Sequence, residues 1–270
     1  MPELPEVETV CRGLEPTICG QHITGITLHR PNLRFPFPDG FATKIEGASV
    51  VAVRRRAKYI LIDLSNNLTW VIHLGMSGRI LLNEKATTIH DHVEVALEKG
   101  SFVYQDPRRF GYMDILPTDT LENSRWFNAL GIEPLSGLFT GSYLHEKFKT
   151  KKAPIKNLLL QQSIVVGLGN IYVCEALFST GIRPTRSGNT ISKKQLDLLV
   201  ENIKIVLHRA IKAGGSSLQD HRQVDGTLGY FQHDFKVYGR EGKLCATCKT
   251  NILRITQAGR SSFYCPLCQT

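Results

Sequence analysis

The chain opens Met-Pro-Glu, and its second and third residues are the first whose types could do chemistry. Pro2 is small and compact and invites removal of Met1, which would leave a free secondary amine beside the carboxylate of Glu3. An α-amino group has an ordinary pKa near about 8, so part of it is neutral at physiological pH, whereas a lysine near about 10.4 is almost wholly protonated. A neutral amine can attack an aldehyde-like carbon, the covalent strategy of Schiff-base lysines. A secondary amine still gives a charged iminium, an electron sink for elimination, and Glu3 can move the protons. Read alone, the same two residues simply begin a helix. Lys58 sits where the basic cluster 54–56 runs into the strand-like Tyr59–Leu64, and by itself it reads as a solvated strand end.

Of the seven cysteines, Cys11, Cys19 and Cys174 are scattered, while Cys245, Cys248, Cys265 and Cys268 form two C-x2-C pairs 16 residues apart. Two tight turns that each present two thiolates can close a tetrahedron around one Zn2+, and a redox CxxC is the alternative. Four thiolates leave no open coordination position, so the expectation is one structural zinc and no catalytic metal. Between the pairs, residues 250–264 can form a β-hairpin with Gln257–Arg260 at its tip and Arg260 projecting outward. On composition alone Arg260 is a solvated turn residue. His90, Asp91 and His92 resemble a metal cluster, but two histidines and one carboxylate need further ligands that the sequence does not offer.

The elements that must position these groups follow from composition and pattern. A chain of 270 residues fits two or three modules, and 42% hydrophobic residues can build a core. A net charge of +9 points to a polyanionic partner, because clustered Lys and Arg release counterions from phosphates. The N-terminus lacks a basic region followed by an apolar run, and no stretch of about 18 apolar residues could span a bilayer, so no membrane role and a cytoplasmic location are expected. That compartment argues against a disulfide framework.

Residues 5–19 have Pro5 in a first turn and Val7, Val10, Cys11 and Leu14 on one face, the pattern of a helix. Short β-branched runs then recur to about residue 133, which predicts a β-sandwich or barrel-like domain. Residues 131–141 have linker composition, and helices are expected over 143–148, 154–162, 170–179 and 192–213. A Gly-rich polar stretch at 213–229 is long enough to be functional. The reading is a multi-domain α+β chain: a β-sandwich with flanking helices over 1–133, a linker over 134–150, a helical domain over 151–234 and a β-hairpin zinc finger over 235–270.

The fragments PELPEVET, RRAKYILIDL, IHLGMSGR, HDHVEV, DPRRFG, VVGLGNIYVCEALF, GYFQHDFKVYGR and the terminal cysteine pairs occur in one order. Together, from the first residue to the last cysteine pair, they resemble the formamidopyrimidine-DNA glycosylase family. The related endonuclease VIII branch usually has Gly where this chain has Leu4 and lacks the DPRRFG pattern. The resemblance implies a bacterial base-excision-repair enzyme with glycosylase and lyase activities on oxidised purines in double-stranded DNA, monomeric, and nucleoid-associated when bound. It implies Pro2 as nucleophile at C1′ and Glu3 as general acid. Lys58 would be a phosphate contact and proton donor for β-elimination, and Arg260 a phosphate grip and proton donor for δ-elimination. An endonuclease VIII-like enzyme for oxidised pyrimidines and a non-catalytic zinc-ribbon DNA binder are the alternatives.

C1′ of a stacked nucleotide is out of reach of a buried amine, so the nucleotide must be extruded and the gap filled. The resemblance assigns that filling to Met76, Arg108 and Phe110; Arg109, ranked below Arg108, is a candidate phosphate or structural contact. It also implies a helix–two-turn–helix domain in which Asn170 binds backbone phosphate; an ordinary helix cap is the plain alternative. Lys151 (with Lys149 and Lys152 equally placed on charge), His90 and Tyr238 are further expected DNA contacts. Ser217 and Arg222 are candidate base contacts in the loop that would close over a flipped base.

Overall fold

The computed structural model describes residues 2–216, 224 and 229–270. The chain divides into two compact units, 1–128 with 211–230, and 129–210 with 231–270.

The first unit begins with helix α1 (Leu4–Ile18), whose stripe of Val7, Val10, Leu14 and Ile18 is fully buried. Eight strands follow: β1 (Ile23–Leu28), β2 (Val50–Arg56), β3 (Tyr59–Leu64), β4 (Leu68–His73), β5 (Arg79–Leu82), β6 (Asp91–Leu97), β7 (Ser101–Gln105) and β8 (Tyr112–Pro117). They form two four-stranded antiparallel sheets, ordered β1-β6-β7-β5 and β2-β3-β4-β8. One core joins the α1 stripe with residues of both sheets, among them Ile60, Ile62, Trp70, Ile72, Val95, Phe102 and Tyr104. This is the sandwich that the β-branched runs predict. A short helix, α2 (Phe41–Ile45), was not expected, because five residues are too few to show a helical period.

The second unit contains α3 (Gly141–Phe148), α4 (Ile155–Leu159), α5 (Asn170–Thr180), most of α6 (Lys193–Lys212) and the hairpin β9 (Leu253–Gln257) with β10 (Arg260–Tyr264). Helix α3 starts two residues earlier than the apolar pattern suggests, because the Thr140 hydroxyl accepts a hydrogen bond from Tyr143 N at 3.1 Å and caps it. Ser192 caps α6, its hydroxyl accepting from Gln195 N at 3.3 Å. Gly181 closes α5 in the left-handed conformation. Among the described residues no helix is long and apolar enough to cross a membrane.

Two loops of the first unit matter below: Leu74–Gly78, after β4, and Asp106–Gly111, between β7 and β8. They approach backbone to backbone at Gly75, whose φ is +63° and where a Cβ would stand 2.3 Å from Gly111 N. Gly75→Ala therefore forces the loops apart and strains its own backbone. It should lower unfolding stability by about 1–3 kcal/mol in a urea titration; an unchanged midpoint would mean that the loops separate freely.

Candidate functional site

The N-terminal site is built by α1. Glu3 is its cap, and Glu3 and Glu6 form a reciprocal capping box in which Glu3 N donates to Glu6 Oε2 at 2.9 Å. The other Glu6 oxygen accepts from Ser216 N at 2.8 Å and Ser216 Oγ at 2.9 Å. Glu6 is thus a buried tie between the first residues and Ser216. Pro2 is buried, and Glu3 is only 3% exposed. A carboxyl in such a place is sheltered from bulk water.

Lys58 lies in the tight turn between β2 and β3, beside Ala57 at φ +53°, and is buried. Its hairpin is fixed to α1 by an ion pair, Arg55 Nε to Glu8 Oε2 at 3.0 Å, while Arg55 also donates to Ala57 O at 3.0 Å. Burial works against the Glu8 charge, but hydrogen bonds from Arg12 and Arg55 outweigh it and hold the carboxyl below its ordinary range. His73, at the end of β4, stacks on Tyr112 with ring centroids 4.9 Å apart. Burial first, and then the charges of Lys58 and Arg34, push its pKa down to about 4. Its Nδ1 accepts from Gly75 N at 3.1 Å, so the neutral ring carries its proton on Nε2.

Met76 and Phe110 stand on the two facing loops at 38% and 43% exposure, outside the core. The Arg108 guanidinium lies over the Phe110 ring, 4.9 Å from its centroid. Asn32, Arg34, Arg108, Arg109 and Phe110 line an open cleft of about 490 Å³. His90 is half-buried on the neighbouring loop. Asp91 is occupied by Thr87 N, Thr88 N and Gln105 Nε2, and His92 Nε2 bonds Asp106 O, so Asp91 and His92 are spent on local structure. Ser217 and Arg222 lie outside the described residues.

In the second unit the four cysteine sulfurs lie within 4.8 Å of one another, the sole group among the described residues arranged to hold a metal. The Sγ separations are 3.3 Å for Cys248–Cys265 and 3.9 Å for Cys245–Cys268. Thiolates at about 2.3 Å from a tetrahedral Zn2+ stand roughly 3.8 Å apart, so the residues fit one structural zinc. The small core around it consists of Cys174, Val237, Cys245, Ile252 and Cys265. Arg260 is exposed at the first position of β10, opposite Gln257 across the turn.

Asn170 is not the cap of α5; Gly169 is, and Asn170 occupies the first helical position. Its Nδ2 donates to Ser261 O at 2.8 Å, next to Arg260. Lys156 was not foreseen. It is fully buried and donates to Ser261 O at 2.9 Å and Ser262 Oγ at 2.7 Å. Glu175, also unforeseen, accepts from the backbone of Lys236, Val237 and Tyr238 at 2.8–3.0 Å. Tyr238 is half-buried, edge-on to Phe263 at 5.1 Å. Lys151 and Lys152 are exposed, and Lys149 pairs with Glu146.

Three family profiles match in chain order: the formamidopyrimidine-DNA glycosylase N-terminal domain over 1–113, the formamidopyrimidine-DNA glycosylase H2TH domain over 130–222, and the zinc finger found in FPG and IleRS over 242–270. The chain belongs to the formamidopyrimidine-DNA glycosylase family. Formamidopyrimidine-DNA glycosylases of Jannaschia sp. and Caulobacter vibrioides are 51% and 49% identical to it, with both chains covered completely. A Lactococcus lactis Fpg mutant in complex with Fapy-dG-containing DNA matches at 33% identity and TM-score 0.93, again over the whole of both chains. The Lactococcus enzyme bound to DNA containing an oxidised pyrimidine matches at 34% and 0.92.

Because the folded chain holds His73 near about 4 and the unfolded chain near about 6.5, the unfolded state binds the extra proton between those values. The stability gained from neutral His73 is complete above about 6.5 and is lost as pH falls towards about 4, by on the order of 3 kcal/mol. His73→Gln should flatten that part of the stability profile relative to the unaltered chain; parallel profiles would contradict it. For the cysteine site, metal analysis should find one zinc per chain. Cys265→Ser should abolish it and open residues 242–270 to proteolysis, and full metal retention would refute the assignment.

Proposed function

We propose that this chain is a bifunctional DNA glycosylase and abasic-site lyase of base excision repair, acting on oxidised purines in duplex DNA. The observation that carries the reading is the Pro2-Glu3 terminus, pinned by a buried capping box, in a chain similar over its whole length to formamidopyrimidine-DNA glycosylases.

In this reading Met1 is removed and the neutral Pro2 nitrogen attacks C1′ of an extruded nucleotide. The C1′ bond to the base breaks, and the base leaves. Glu3 protonates the ring oxygen, so the sugar opens as the C1′ iminium forms. The iminium acidifies C2′; loss of that proton expels the 3′ phosphate, with Lys58 supplying a proton. A second elimination expels the 5′ phosphate, with Arg260 in the corresponding role. Burial keeps water from competing at the iminium. Met76, Arg108 and Phe110 fill the vacated space, Met as a flexible filler, Phe as a wedge and Arg as a partner for the orphaned base. His90, Lys151, Asn170 and Tyr238 contact the DNA. The zinc holds the hairpin that carries Arg260 and takes no part in the chemistry. The modules are a catalytic sandwich (1–133), a linker (134–150), a helix–two-turn–helix domain (151–234) and a finger (235–270). The enzyme works as a monomer in the cytoplasm, associated with nucleoid DNA.

Incubation of the mature protein with an 8-oxoguanine duplex and borohydride should give a covalent adduct, which Pro2→Gly should reduce at least about 100-fold. Base release should favour 8-oxoguanine over thymine glycol. No adduct would refute the catalytic reading, and a preference for thymine glycol would refute the substrate.

A further inference from the structure

Asp106 has no part in the chemistry above, yet its carboxyl is fully buried and fully engaged. Oδ1 accepts from Ser77 Oγ at 2.5 Å; Oδ2 accepts from Gly111 N at 2.8 Å and from Tyr104 OH at 3.3 Å. The donors come from both exposed loops and from the strand beneath them. Ser77 follows Met76 directly, and its hydroxyl accepts from Arg108 N at 3.1 Å while donating to Asp106. The hydroxyl of Met76's neighbour and the backbone N–H after Phe110 therefore converge on one carboxyl group, and the Arg108 backbone reaches it through Ser77.

The main chain of Asp106 is fixed as well. Its N donates to His90 O at 3.0 Å, and its carbonyl accepts from His92 Nε2 at 2.8 Å and Arg109 N at 3.2 Å. There is no space for adjustment around it: a Cβ on Gly111 would stand 1.8 Å from the Tyr104 hydroxyl, and one on Gly78 would stand 2.5 Å from it. Away from solvent a connected set of hydrogen bonds supports itself, and breaking such a network costs more than any single bond in it.

We propose that Asp106 is a positioning residue that locks the Met76 loop and the Arg108–Phe110 loop into one preorganised insertion unit. The proposal rests on the glycosylase reading. Unstacking a base costs a few kcal/mol, which the inserted side chains must offset. Loops that are ordered already at folding leave that binding energy available for distortion of the DNA, whereas loops ordered only on contact consume part of it. Asp106 touches neither DNA nor the reacting atoms; it acts through Ser77, Arg108 and Gly111.

The consequence is a split between substrates. A paired lesion must be extruded against stacking and pairing; a preformed abasic site has no base to unstack. Asp106→Asn should slow single-turnover excision of 8-oxoguanine paired with cytosine by about 10-fold to 100-fold. Strand cleavage at a preformed abasic site should stay within about twofold of the unaltered enzyme. Ser77→Ala, which keeps the Asp106 side chain and removes both bonds of the Ser77 hydroxyl to the Asp106–Gly111 loop, should give the same split at smaller size and serves if Asp106→Asn does not fold. Parallel loss on both substrates, or no loss on the paired lesion, would overturn the proposal. If the unaltered enzyme processed neither substrate, the glycosylase reading would fail instead.

Discussion

A buried carboxylate, Glu6, holds the beginning of the chain still. Chain termini fray because nothing repays the entropy of ordering them. Here Glu3 N is bound to one Glu6 oxygen, and Ser216 is bound to the other. A nucleophile on a loose terminus would have to be found by diffusion; one pinned at a helix start is presented in a fixed place. The remaining features of the first unit follow from that constraint. Helix α1 is clamped by its apolar stripe to the sandwich core and by Glu8 to Arg55, so the hairpin with Lys58 is indexed to the same helix.

Each unit solves its own support problem differently. The first has a core large enough to hold exposed loops, and it fixes them with a buried acid and with glycines where the backbones touch. The finger of the second has almost no core, and four cysteine sulfurs fit for one zinc stand in for it. Its hairpin is then steadied from the helices by Lys156 and Asn170, which both bond Ser261 beside Arg260.

Much of the fold is legible in the sequence, because its signals are local. The cysteine pairs, the β-branched strands, the α1 stripe and the Ser192 cap each depend on neighbours a few residues away. What escapes is whatever depends on a distant partner. Glu6 reads as an ordinary acid in a helix's first turn; its bond to Ser216 spans 210 positions. Lys156 reads as one more lysine in a basic run, and its partner Ser262 lies 106 positions on. Asp106 sits in a motif whose arginines draw the eye, while the carboxyl's partners come from three places along the chain. Asn170 was open between cap and ligand; the cap falls to Gly169, whose backbone is extended, and Asn170 takes the first helical position. Pro2 is the sharpest case, because a helix start and an amine nucleophile look identical until the companion motifs are read together.

The central claim is that the amine of residue 2, and not a lysine, forms the covalent bond to DNA. Peptide mapping by mass spectrometry of the borohydride-reduced adduct tests it most directly. The account predicts that the DNA remnant is attached to a peptide beginning at Pro2, with Met1 gone. A remnant on the peptide containing Lys58, or on any other lysine, would contradict it.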